Sequence, residues 1–211
     1  MGAPVLIGVT GGIGSGKSTL ARLLAQRGAV LIDADQLGHQ VLEARPVVEA
    51  LVAAFGASIV GEGGQVLRRE LGRLAFGSPE GFARLNRIVR PFLETLLWTE
   101  IGRAEGPARD QVVVVDAALI YEWEVAECFD LMVVVDAPEA LRCQRAAARQ
   151  GLSEEEVRRR MAWQLPAAEK VARAEVVVEN AGPVAELEPR ADEIWQRIRT
   201  LQGQGRSADE R

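Results

Sequence analysis

The sequence predicts an α/β fold: a five-stranded parallel sheet flanked by helices, with a helical insertion and a helical lid. Three observations lead there. Short apolar, β-branched runs recur five times, and helical segments separate them, as in crossover units that build a parallel sheet. Several of these runs end in acidic residues at the point where a strand would hand over to a loop. Residues 36–110, by contrast, carry helical periodicity and no convincing strand signal.

The elements follow in chain order. Val5 to Val9 has the composition of a strand buried on both faces, and Leu20, Leu23 and Leu24 then recur at helical spacing. A glycine-rich stretch joins the two. "AVLIDAD" is a second strand ending in carboxylates; "DQVVVVDAAL", "DLMVVVDAP" and "AEVVVEN" are the third, fourth and fifth. Helices are expected around Val41 to Phe55 and from Phe82 to Ile101, the latter opened by Ser78-Pro79. "SEEE" at Ser153 to Glu156 is a capping box, preceded by Arg142, Arg145 and Arg149 on one helix face. These elements divide the chain into a parallel-sheet core of residues 1–35 and 111–202, with a lid at about 141–165. A helical subdomain of residues 36–110 and a disordered tail of residues 203–211 complete the expected organisation.

Composition narrows the function. With 48% hydrophobic and 26% charged residues, the chain resembles a soluble globular protein, and no apolar run approaches the roughly 18 residues of a membrane helix. The N-terminus lacks the features of a secretory leader, so a cytoplasmic protein, monomeric or a small homo-oligomer, is expected. A net charge of −5 argues against nucleic acid and leaves phosphate recognition to local basic clusters. Cys128 and Cys143 lack metal-ligand spacing and read as small buried side chains. Of 25 Lys plus Arg, only Lys17 and Lys170 are lysine. A lysine at position 17, in a chain that otherwise writes arginine, marks a site that needs a compact point charge.

That lysine lies in "GGIGSGKS", Gly11 to Ser18, which fits G-x-x-x-x-G-K-[ST] between a strand and a helix. Glycines let backbone amides converge on phosphate oxygens, and the helix adds the positive end of its dipole. Lys17 would reach the β- and γ-phosphates of a nucleotide, and the Ser18 hydroxyl would ligate Mg²⁺. Asp33, Asp35, Asp116 and Asp136 all reach the same edge of the sheet. Asp116 has two readings, a Walker B carboxylate or the cap of a following helix. Of Asp33 and Asp35, one would accept a proton from an attacking hydroxyl and the other would hold Mg²⁺ through water, unless either merely caps the next helix. Arg145, Arg149 and Arg158 to Arg160 suit a lid that brings positive charge to a transferring phosphoryl group. His39, the single histidine, reads as an ordinary packed or exposed side chain on its own evidence.

Together, "GGIGSGKST", "IDADQLGHQV", "LRRELGRLAF", "LNRIVRP", "DAALIYE", "QRAAARQGLSEEEVRRRMAWQ" and "ENAG" resemble the dephospho-coenzyme A kinase family of P-loop kinases. The resemblance implies transfer of the γ-phosphoryl group of ATP to the ribose 3′-hydroxyl of dephospho-CoA, with Mg²⁺. It implies Asp35 as the base, supported by Asp33, and assigns Gly12, Ile13, Gly14, Ser15, Gly16, Lys17, Ser18 and Thr19 to the ATP phosphates. Arg145 and Arg149 map to the lid, Asn180 and Gly182 to the approach to adenine, and Arg68, Asn86 and Glu122 to the acceptor side. Gly38-His39 stands where the family usually has Ala-Arg, Arg90-Pro91 where it has His-Pro, and Ala118 where Pro is common. His39 and Arg90 are therefore expected to share the acceptor pocket with roles exchanged. Two competing readings are another small-molecule P-loop kinase, acting on a nucleoside monophosphate or sugar acid, and a GTPase-like switch. "DQLG" fits D-x-x-G, but no N-K-x-D guanine-reading motif accompanies it.

Overall fold

The computed structural model describes residues 4–104 and 111–209, with side chains through Gly203. Residues 1–3, where a leader was sought, and the expected boundary at 110 lie outside them. Five parallel strands, β1 (Val5–Thr10), β2 (Val30–Asp33), β3 (Val112–Asp116), β4 (Leu131–Asp136) and β5 (Val176–Glu179), form one sheet in the order β2-β3-β1-β4-β5. Because all run the same way, every carboxyl end reaches one edge, and β1 holds the centre of it. The register aligns Ile7 with Val114 and Leu131, and Val9 with Val133.

Strand periodicity sends alternate residues to opposite faces. Ile7, Val9, Val112, Val114, Val133 and Val135 share one face, where they pack on Leu20 and Leu24 of helix α1 (Lys17–Gln26). Leu187, Ala191, Ile194 and Ile198 of α9 (Leu187–Asp209) close the same core. The backbone of α9 continues past Gly203 to Asp209, where the sequence suggested a disordered tail; no proline interrupts that stretch, and residues 210–211 of the tail lie outside the described residues. Cys143 is fully buried as expected, whereas Cys128 is exposed, because its short 3-10 turn (Ala126–Cys128) has no buried residue.

The chain separates into one unit of Met1–Asp33 and Ile101–Arg211 and a second of Ala34–Glu100. Helices α2 (Ala34–Val41), α3 (Arg45–Phe55), α4 (Arg68–Ala75) and α5 (Pro79–Ala104) account for most of the second. The helix expected over Val41 to Phe55 breaks between α2 and α3, since Pro46 lacks the amide a continuous helix requires and suits a first turn. The Ser78 hydroxyl accepts the Gly81 amide and so opens α5 where the sequence placed its start. One isolated antiparallel bridge, Val60 to Val66, escaped the sequence reading because it is a single pair closed by a glycine turn.

In the first unit, α6 (Glu139–Gln150) and α7 (Glu154–Met161) are joined through Gly151, whose φ of 63° ends α6 in the left-handed region. The Ser153 and Glu156 side chains complete the capping box of α7. Helix α8 (Ala167–Ala172) follows and leads into β5. Leu24, with no exposed surface, joins α1 to the sheet and α9, so Leu24→Ala should cost about 2–5 kcal/mol of folding stability. Urea denaturation of the two proteins measures this directly.

Candidate active site

The centre of the site is the turn between β1 and α1. Gly14 and Gly16 have φ of 78° and 99°, a region that residues with side chains avoid, and Gly16 is the N-cap of α1. Space imposes the same choice. A β-carbon on Gly14 would run into the backbone carbonyl of Arg142, and one on Gly16 into Asn180 Nδ2. Asn180 itself is tied down: its side chain donates to the Ser15 carbonyl at 2.7 Å, and its amide donates to the Asp136 carbonyl at 2.7 Å. No acidic residue occupies the first turn of α1, so the positive end of this helix keeps its full attraction for an anion.

Lys17 is buried at the start of α1, with its Nζ 3.8 Å from Asp116 Oδ1 at the end of β3. No helix begins after Asp116; a run of turns follows, which removes the capping alternative and leaves the carboxylate facing the lysine. Asp33 ends β2 directly beside Asp116 in the strand register. Two residues later Asp35 lies exposed in the first turn of α2, where a negative charge is favoured by the helix dipole. Ser18 is half-buried, and its hydroxyl makes no hydrogen bond with the described residues.

Around this loop the later part of the chain closes from two sides. The Ile13 amide donates to Gln164 Oε1 at 2.9 Å, and the Ile13 side chain packs on Cys143, Ala146 and Val157 of α6 and α7. Arg145 uses both terminal nitrogens on backbone, donating to Asn180 O at 2.9 Å and Gly182 O at 3.0 Å. It therefore anchors the segment after β5. Arg149, one turn further on, is exposed and makes no ion pair or hydrogen bond with the described residues.

The sequence reading gave Lys170 no role, and the structure places it in a buried ion pair. The side chain is fully buried, and Nζ donates at 2.7 Å both to Glu122 Oε1 and to the Ala118 carbonyl. The same Glu122 oxygen accepts the Leu165 amide at 2.9 Å. Burial holds the Lys170 ammonium below the ordinary lysine range, Glu122 opposes this, and the nearby charges of Lys17 and Arg142 depress it further. The signal was available, because Lys170 is the other lysine in an arginine-rich chain and the reasoning applied to Lys17 covers it equally.

In the second unit, Arg68 is exposed at the start of α4, and His39 is exposed in the last turn of α2. Asn86 and Arg90 lie half-buried on α5, one helical turn apart, with Arg90 Nε donating to Glu94 Oε1 at 2.6 Å. The structure thus brings together Lys17, Ser15, Asp116, Asn180 and Arg145 around one loop, while the acceptor-side set belongs to the helical unit and Glu122 to the Lys170 pair.

A family profile described as dephospho-CoA kinase matches residues 5–186. The chain belongs to the dephospho-CoA kinase family. A dephospho-CoA kinase of Streptomyces avermitilis is 39% identical over 190 residues, covering 90% of this chain and 91% of the relative. One from Methylococcus capsulatus is 37% identical over 198 residues, covering 93% and 98%. A crystal structure of a Thermus thermophilus protein superposes with a TM-score of 0.76 at 37% identity, over 92% of this chain and 98% of the other. The dephospho-CoA kinase of Campylobacter jejuni, 21% identical with a TM-score of 0.60 over 92% and 96%, shares the fold. So does a shikimate kinase from Acinetobacter baumannii, with a TM-score of 0.51 at 18% identity over 94% of each chain.

Within this family member, the Ala118 carbonyl is the acceptor for Lys170, and Glu122 is held on two donors through one oxygen. Removing one partner of such a buried pair strands the other charge. Lys170→Met should therefore lower stability by about 3–5 kcal/mol, and the double variant Lys170→Met/Glu122→Leu should recover much of that loss. Denaturant midpoints of the single and double variants give the comparison.

Proposed function

We propose that the chain transfers the γ-phosphoryl group of ATP to the ribose 3′-hydroxyl of dephospho-CoA, yielding CoA and ADP. The family match across residues 5–186 carries this reading, and the buried Lys17 beside a phosphate-binding turn is the chemistry it requires. Amides of the loop Gly12 to Thr19 and the dipole of α1 hold the phosphates, with Lys17 on the β- and γ-oxygens. Asp35 accepts the proton of the 3′-hydroxyl as its oxygen bonds to the γ-phosphorus, and the bond to the β,γ-bridging oxygen breaks to release ADP. Asp33 supports that base from the end of β2. Arg149 supplies positive charge to the transferring group, and the α6–α7 segment serves as the lid that keeps water from accepting it. Asn180 and Gly182, anchored by Arg145, border the adenine.

The donor set suits magnesium. Ser18 offers a hydroxyl oxygen, and among the described residues no three His, Cys, Asp or Glu gather into a protein cage. Mg²⁺ takes few protein ligands and completes its shell with water and phosphate, neutralising charge on the β- and γ-oxygens when bound. Arg68, Asn86, His39 and Arg90 of the helical unit serve the acceptor side in this reading, which also assigns Glu122 to the acceptor. No helix among the described residues is long and apolar enough to cross a membrane. We place the enzyme in the cytoplasm with ATP and dephospho-CoA as its partners.

The direct test is a coupled assay for ADP with ATP, Mg²⁺ and a panel of acceptors. Turnover with dephospho-CoA supports the proposal, and turnover only with a nucleoside monophosphate or sugar acid rejects it. Asp35→Asn should lower kcat by about 10²–10⁴-fold with ATP affinity retained, whereas Lys17→Ala should lose both. A dead Asp33→Asn beside an active Asp35→Asn would reverse the assignment of the base. His39→Ala and Arg90→Ala should each raise KM for dephospho-CoA more than KM for ATP; equal effects on both would remove these residues from the acceptor side.

A further inference from the structure

We infer that Arg142 is a phosphate-binding residue, a second fixed cation that meets the triphosphate from the α6 side of the loop. The inference rests on the nucleotide site proposed above and adds a group that neither its sequence motif nor the lid arginines supply. Arg142 lies in the first half of α6 and is 8% exposed, an unusual depth for a guanidinium. Its backbone carbonyl touches Gly14, and its Nη1 presses against Gly12 at the point where a β-carbon would stand. Arg142 thus lies along the turn, its backbone at Gly14 and its guanidinium at Gly12.

Its hydrogen bonding is incomplete. Nε donates to the Ala137 carbonyl at 3.0 Å, which fixes the plane of the group. Among the described residues neither terminal nitrogen has a hydrogen-bond partner, and no carboxylate forms an ion pair with it. Lys17 has Asp116, and Lys170 has Glu122. Arg142 is the remaining buried cation of this cluster, near enough to Lys170 for the two charges to oppose one another. A buried cation without a counter-ion is costly, and the cost is recovered when an anion arrives. A guanidinium held by one nitrogen presents its other donors as a fork, a shape that matches two phosphate oxygens.

A purely structural role predicts something different, namely that Arg142 stabilises the empty protein by bracing Gly12. Calorimetric binding of ATP, of inorganic tripolyphosphate and of adenosine to wild type, Arg142→Met and Arg142→Gln separates the two. The expected result is affinity for ATP and tripolyphosphate lowered by about 10- to 100-fold in both variants, with adenosine affinity unchanged. The melting temperature without ligand should hold or rise in Arg142→Met, while the increase produced by tripolyphosphate shrinks. Tripolyphosphate affinity within twofold of wild type in either folded variant would overturn the inference. So would a fall in adenosine affinity equal to the fall for tripolyphosphate, which would mean that the loop had merely lost its shape. Failure of wild type to bind ATP or tripolyphosphate would instead strike the nucleotide-site reading itself.

Discussion

The missing β-carbons between residues 11 and 16 are the constraint on which the site depends. Because those positions carry no side chains, the end of β4, the first half of α6 and the Asn180 side chain all reach the loop backbone directly. The loop is therefore held by neighbours distant in sequence and by its own Ile13 and Ser15 amides, while the amides of Gly14, Gly16 and Ser18 donate to none of the described residues. A phosphate cradle needs this combination. Amides that had to be organised when the ligand arrived would spend part of the binding energy on ordering the backbone.

Charge follows the same geometry. The protein is acidic overall, yet Lys17 and Arg142 are buried at one turn, and Lys170 is buried close enough to feel both charges. Lys17 faces Asp116 and Lys170 holds Glu122, carboxylates that come from the end of β3 and the segment after it. The parallel sheet explains how this is possible, since each strand delivers its last residue to one edge whatever its distance along the chain. Lys170 also joins two parts of the architecture through Glu122, which accepts both its ammonium and the Leu165 amide following α7. The segment after α7 is thus tied to the loop after β3 by the Leu165–Glu122 hydrogen bond, and α8 by the buried ion pair.

Much of this was legible in the sequence for a simple reason: the apolar, β-branched strand runs, the phosphate-loop octet and the capping box are local patterns. All five strands, helices through much of residues 36–104, the start of α5 and the Ser153 cap are found where those patterns put them. What escaped was non-local or depended on small backbone choices. Lys170 meets Ala118 and Glu122 across about fifty residues, and nothing near either partner announces the pairing. Arg142 read as one of three similar arginines on a helix face, although Arg142 is buried on the loop, Arg145 is spent on backbone carbonyls and Arg149 faces solvent. Helical spacing gave the face but could not rank depth along it. The surface placement of Cys128 and the break before Pro46 likewise depend on turns whose signals are only a few residues long.

The central claim is that loop amides, braced by α6 and Asn180, grip the phosphates of a nucleotide. Amide resonances of Gly14, Gly16, Lys17 and Ser18, followed by NMR during titration with MgATP, report on it directly. The account predicts large downfield shifts at these amides that saturate together with ATP binding and are reproduced by tripolyphosphate. Unperturbed loop amides at saturating MgATP, in a protein that still phosphorylates its acceptor, would contradict it.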